Sequence, residues 1–207
     1  MTMDTTVKVP ELPELTFEDV GHIYRLDGEI IPSVTTIMAP LSDSHYAGIA
    51  KDTLARAAEK GTAVHNAIEN FTKFGIKDLP GEYAGYFDAF IQWWEMNKPV
   101  MVASEIRLYH KLMRYGGTLD HLSFIDGELT LVDYKTTANI SDMTCGVQLE
   151  AYSQALACLG IHVQRKKILH LRKNGKFDVR EYPVKDIVRW KVFGSLKNVY
   201  DYLESYR

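Results

Sequence analysis

Asp120, Asp133 and Lys135 stand in two apolar segments, 118-TLDHLSFI-125 and 128-ELTLVDYK-135, that otherwise read as buried strands. Asp126-Gly127 between them is the favoured dipeptide of a two-residue type I′ turn, which predicts a β-hairpin. Such a loop fixes the register: Ile125 faces Glu128, Phe124 faces Leu129 and, counting on, Asp120 faces Asp133. Side chains alternate along a strand, so Leu129, Leu131, Asp133 and Lys135 share one face, and Asp120 joins it through the pairing. Like charges directly opposite destabilise a sheet, and desolvating them between apolar neighbours costs more. A divalent cation offsets that repulsion, and carboxylate oxygens suit a hard ion such as Mg²⁺ or Mn²⁺. If the turn is not the two-residue type, the register slips and one aspartate points to solvent instead.

The surrounding chain supplies the elements that must hold these residues. Residues 1–15 read as a flexible arm, and 17-FEDVGHIYRLDGEIIPSVTTIM-38 as a short hairpin turning at Asp27-Gly28 followed by an extended IPSVTTI entry into the domain. From about Ser44 to Gly75 the composition is helical with a break expected near Gly61. The second helix, GTAVHNAIENFTKFG, carries Val64, Ile68 and Phe71 as a core stripe, with His65 and Glu69 one turn apart at its edge. The next, GEYAGYFDAFIQWWEMNK, gathers Tyr83, Tyr86, Phe87, Phe90, Ile91 and Trp94 on one broad face, which reads as core rather than as a base-stacking platform. Strands fill about Val100 to Lys135; a helix, GVQLEAYSQALACLG, places Gln148 and Tyr152 one turn apart; a strand pair turning at Asn174-Gly175 and an amphipathic helix from about Val184 to Tyr206 close the chain. For Trp190, Phe193, Leu196, Val199, Tyr200 and Leu203 on that last helix, core is the expected role. No internal repeat or linker appears, so residues 16–207 are expected to form one α/β domain.

Composition narrows the function classes. With 207 residues, 46% hydrophobic and 25% charged, this is an ordinary globular chain with room for a substantial core. A formal net charge of −3 gives no global footprint for nucleic acid. Charge is instead local: 165-RKKILHLRKNGKFDVR-180 carries seven Lys or Arg against one Asp, a run that most often marks a solvated hairpin. Two cysteines, Cys145 and Cys158, make neither a disulfide framework nor, by themselves, a zinc or iron–sulfur site. No apolar run is long enough to span a bilayer, and the acidic, Pro-interrupted N-terminal stretch is unlike a secretion or transit signal, so a cytoplasmic setting with no membrane partner is expected. No GxxxxGK[ST] occurs, so no nucleotide cofactor is expected.

Taken together, G61-T-A-V-H65, G117-T-L-D120, D133-Y-K135-T-T and Q148-x-x-x-Y152 resemble, in order, the motifs of the RecB-type branch of the PD-(D/E)XK nuclease superfamily. The PSVT of IPSVTTIM resembles the entry segment of the mitochondrial genome maintenance exonuclease and related phage exonucleases. The motifs cover about residues 17–155. The resemblance implies a restriction-endonuclease-like core, with a mixed, largely antiparallel central sheet flanked by helices. It implies that His65, Asp120 and Asp133, with the backbone carbonyl of Tyr134, bind Mg²⁺ or Mn²⁺. Lys135 would then contact the scissile phosphate or the attacking water, and Gln148 and Tyr152 would position that lysine and the nucleic-acid backbone. Glu105 and Glu69 are secondary candidates. The activity implied is a metal-dependent DNA exonuclease acting on single- or double-stranded DNA with a free end, in phage or bacterial recombination or end processing beside a recombination partner protein. A structure-specific endonuclease and a non-catalytic nucleic-acid-binding protein are the alternatives. Relatives with an iron–sulfur cluster use four cysteines, so no cluster is expected here.

Overall fold

A computed structural model describes residues 7–206. Its centre is a five-stranded sheet: β4 (Val100–His110), β5 (Tyr115–Ile125), β6 (Glu128–Lys135), β7 (Arg165–Leu171) and β8 (Phe177–Tyr182), adjacent in that order. All pairs are antiparallel except β6 with β7, so the sheet is mixed and largely antiparallel, as expected. A smaller antiparallel sheet, β1 (Leu15–Glu18), β2 (Ile23–Leu26) and β3 (Glu29–Ile31), precedes it. Six α-helices and a short 3-10 helix (Gly81–Tyr83) complete the described chain: α1 (Val34–Ile37), α2 (Ala39–His45), α3 (Lys51–Phe74), α4 (Ala84–Asn97), α5 (Asp142–Cys158) and α6 (Ile187–Glu204).

Both Asp-Gly turns form as their chemistry dictates. Asp126 and Gly127 sit at φ 53° and 80°, the left-handed pair that a type I′ turn needs, and the register runs Ile125↔Glu128, Phe124↔Leu129, down to His121↔Val132. Asp27 and Gly28 repeat the geometry between β2 and β3. The β6–β7 pair is parallel and needs a crossover, which α5 provides.

Helices cover both faces. On one, Val64 and Ile68 of α3 and Phe87, Phe90 and Trp93 of α4 bury against Val132, Tyr134 and Leu169. The aromatic stripe of α4 is therefore core, and it includes Trp93, which the stripe had left out. On the other face, α1, α5 and α6 pack on Ile106, Leu108, Leu129, Leu131 and Ile168. Phe193 of α6 is buried, with Trp190 and Leu196 beside it, while Val199 and Leu203 are exposed.

Two local expectations are corrected. The IPSVTTI segment is not extended throughout: Val34–Ile37 is one helical turn, because Ser33 caps it, its Oγ accepting from the Thr36 amide at 3.0 Å. Nor does the helix break at Gly61. The glycine penalty, about 1 kcal/mol against alanine, is outweighed by the continuous burial of Val64, Ala67 and Ile68, and α3 runs on to Phe74. Of the arm expected over residues 1–15, the first six lie outside the described residues, and Val7, Val9 and Leu12 pack against the larger core.

Candidate active site

Three neighbouring strands bring carboxylates to one place. The β4–β5 register, with Ser104↔His121 and Ile106↔Leu119, puts Glu105 opposite Asp120, and the β5–β6 register puts Asp133 one step beyond its last pair, His121↔Val132. Glu105 adopts φ 49°, a left-handed conformation that costs a non-glycine residue roughly 1–3 kcal/mol and drops this position out of the ladder. Asp120 also departs from the regular pattern: its Oδ2 accepts the Tyr134 amide at 2.7 Å. The remaining oxygen, Oδ1, lies 3.6 Å from His65 Nδ1, and Glu105 Oε1 lies 3.8 Å from the same nitrogen.

His65, Glu105 and Asp120 thus present ligand atoms all within 4.8 Å of one another. The resemblance put Asp133 with His65 and Asp120 and left Glu105 secondary; the geometry puts Glu105 in the group and leaves Asp133 outside it, beside Lys135. Asp133 is 2% exposed. Lys135 Nζ is ion-paired with its buried Oδ2 at 2.5 Å. Gln148 of α5 holds the ammonium, accepting it at Oε1 (3.0 Å), and donates in turn to the Tyr152 hydroxyl at 3.4 Å. The helical spacing read from sequence has this consequence: lysine, amide and phenol form one chain.

Electrostatics follow from crowding. Burial, then the charges of Asp120 and Glu69, push Glu105 up to about 8. Burial lifts Asp133 to about 6, with Lys135 opposing and Asp120 adding to the rise. Burial works against the charge on Lys135, but the Asp133 carboxylate outweighs it and holds the lysine protonated well above its ordinary range. Burial raises Tyr152 far above the usual phenol value, so it is a neutral donor.

The group opens into a cleft of about 710 Å³ between α3 and the small sheet, lined among others by Phe17, His22, Gly61, Thr62, Glu69, Lys73, Arg107, Gly117 and Tyr152. Gly117 admits Tyr152: a Cβ there would lie 2.6 Å from the Tyr152 ring. Glu69 is ion-paired with Lys73 one turn on, which makes it a supporting residue of the cleft wall. Arg107 and Phe17 went unnoticed in the sequence, although Arg107, two residues after Glu105 on one strand, shares its side by simple alternation. On the reverse face, Tyr134 Oη pairs with His121 Nδ1 at 2.6 Å and His121 Nε2 with Ser123 Oγ at 2.6 Å, fixing the strands from behind. Burial pushes His121 down to about 3, so its ring is neutral.

The basic run over 165–180 is largely neutralised. Lys166 is buried against Glu150, and Arg165, Arg172 and Arg180 pair with Glu181, Asp178 and Asp142.

No family model matches the chain, and no curated protein matches it. Among solved structures it is similar to LHK-Exo in complex with dAMP, at 10% identity and a TM-score of 0.47, over 85% of this chain and 89% of that one. It is also similar to an alkaline exonuclease (LHK-Exo) from Laribacter hongkongensis, at 11% identity and a TM-score of 0.39, over 72% of this chain and 85% of that one.

Proposed function

We propose that this protein is a metal-dependent nuclease that hydrolyses phosphodiester bonds of DNA, working from free ends as an exonuclease. The observation that carries the reading is the convergence of Glu105 and Asp120 from adjacent strands with His65 from α3, next to Asp133 and its Lys135 ammonium on the following strand. A sheet with only a structural role gains nothing from that cluster and loses stability to it.

The donors fit a hard divalent cation. One imidazole and carboxylate oxygens are the ligand types that Mn²⁺ and Mg²⁺ accept, and a cation would relieve the repulsion that lifts Glu105 and Asp133. His65, Glu105 and Asp120 would hold it, and the resemblance adds Asp133 and the Tyr134 carbonyl to them. Bound there, the ion would supply an activated water and offset charge on the phosphoryl oxygens.

The chain's own groups supply the rest. Lys135 keeps its proton and is held by Gln148, so a fixed positive charge stands where negative charge builds on the phosphate, with no reorganisation during reaction. Tyr152, which lines the cleft, orients Gln148 through its hydroxyl. The left-handed Glu105 backbone and the Tyr134 amide hold two of the carboxylates at fixed positions before anything binds.

The test is a gel assay of end-labelled linear DNA beside closed circular single-stranded and plasmid DNA, with Mg²⁺, Mn²⁺ or EDTA, for wild type and Asp133→Ala. Loss of linear DNA alone, dependent on metal and on Asp133, is expected. Cleaved circles would replace the exonuclease by an endonuclease, and intact substrates throughout would overturn hydrolysis.

A further inference from the structure

The cleft contains a cation that the carboxylate chemistry does not use. Arg107 lies on β4 two residues beyond Glu105 and is exposed at the cleft wall. Among the described residues it makes no ion pair and no side-chain hydrogen bond. Its one close partner is the ring of Phe17, 4.7 Å from the guanidinium carbon. Phe17 is in turn seated against Tyr24, ring centroids 4.7 Å apart, in the small apolar cluster of β1–β3. The cleft's other lysine or arginine, Lys73, is taken up by Glu69.

An arginine left unpaired in a cleft that also holds Asp19, Glu69, Glu105 and Asp120 is poorly placed to serve the fold alone. Among the described residues none of those carboxylates pairs with it, and the Phe17 ring lies against it instead. A ring face takes up none of the guanidinium's N–H donors in ordinary hydrogen bonds, and that planar fork matches two oxygens of a phosphate. Arg107 lines the same cleft as Glu105 and Asp120, so a strand lying there would meet it beside the carboxylates.

We propose that Arg107 binds the phosphate next to the cleaved one, and that Phe17 is the residue positioning it. The assignment rests on the nuclease reading for the identity of its neighbour, but it predicts binding whether or not cleavage occurs. A fluorescent single-stranded oligonucleotide is titrated in Ca²⁺ across a salt series with wild type, Arg107→Ala, Arg107→Lys and Phe17→Leu, and KM and kcat are measured in Mg²⁺.

Arg107→Ala should weaken binding about tenfold and reduce the slope of log affinity against log salt by about 0.7, the loss of one phosphate contact on a single strand. Arg107→Lys should keep that slope while losing part of the affinity. Phe17→Leu should weaken binding several-fold with the slope unchanged, since the charge remains but its orientation is lost. In turnover, the losses should fall on KM rather than kcat. Because Arg107 is exposed, thermal unfolding of Arg107→Ala should match wild type. Wild-type affinity and slope in Arg107→Ala would overturn the assignment while leaving the nuclease reading intact. A wild type that binds DNA and loses one contact in Arg107→Ala, yet cuts nothing, would sustain the assignment and overturn the nuclease. A wild type that binds no DNA would overturn both.

Discussion

The amide of Tyr134 donates to Asp120 Oδ2 at 2.7 Å, so Asp120 serves the backbone with one oxygen and faces His65 with the other. Asparagine can keep the first duty with its side-chain carbonyl and cannot perform the second as an anion. Asp120→Asn should therefore leave the metal-free fold as stable as wild type or more so, and abolish cleavage. Asp120→Ala should lose about 1–3 kcal/mol, because a buried amide is left without an acceptor. Urea unfolding in EDTA separates the two, and a large loss in the asparagine variant would reveal a partner that needs the charge.

The raised carboxyl of Glu105 sets a pH dependence. Its folded value, about 8, lies above the ordinary carboxylate range, so the fold favours the protonated form. The stability it contributes is complete in acid and is lost as pH rises towards and through 8; Asp133, lifted to about 6, acts in the same direction earlier. In EDTA the melting temperature should fall over that interval, less so in Glu105→Gln.

Metal binding should show the same proton from the other side. Below pH 8 an incoming Mn²⁺ must displace it, so affinity measured by calorimetry should climb with pH, up to about tenfold per unit, and level off above. Glu105→Gln should weaken binding and flatten the climb. A pH-independent affinity in wild type would take Glu105 out of the ligand set.

Lys135 and Gln148 differ from the carboxylates in what they should affect. On the proposed reading, in which the lysine would meet the phosphate and not the ion, Lys135→Ala should lower kcat by about a hundredfold or more while Mn²⁺ affinity stays within a few-fold. Gln148→Leu should follow in the same direction with a smaller loss, since Asp133 still holds the ammonium. Lost metal binding in Lys135→Ala would reverse the roles assigned here.

Close packing is tested at Gly117. Alanine there would put its Cβ 2.6 Å from the Tyr152 ring, so Gly117→Ala should destabilise by about 1–3 kcal/mol and displace the phenol from Gln148. Chemical unfolding together with kcat shows whether both effects occur.

What the sequence made legible was local. The Asp126-Gly127 turn fixed a register that the strands obey, and the spacing of Gln148 and Tyr152 placed both on the helix face turned to Lys135. The place of Glu105 beside His65 and Asp120 was not legible, because its left-handed backbone and its position opposite Asp120 depend on how β4 lies against β5, and no residue type announces either. Gly61 misled for a related reason: propensity is a local quantity, and the burial that overrides it comes from elsewhere in the chain. Arg107 stayed hidden because Phe17, the ring that orients it, lies on a different sheet.

The two-residue turn also sets the order in which the site is cheapest to assemble. Asp120 and Asp133 meet through the shortest loop the chain can close, whereas His65 and Glu105 must be brought in across far longer stretches of sequence, and the entropy of closure grows with that separation. Closing the hairpin first brings the two carboxylates together with Lys135 and the Tyr134 amide, but before His65 and Glu105. The pair acts as a brake on the hairpin, and Asp120→Asn should refold faster than wild type in EDTA, a difference that stopped-flow fluorescence of the tryptophans can measure.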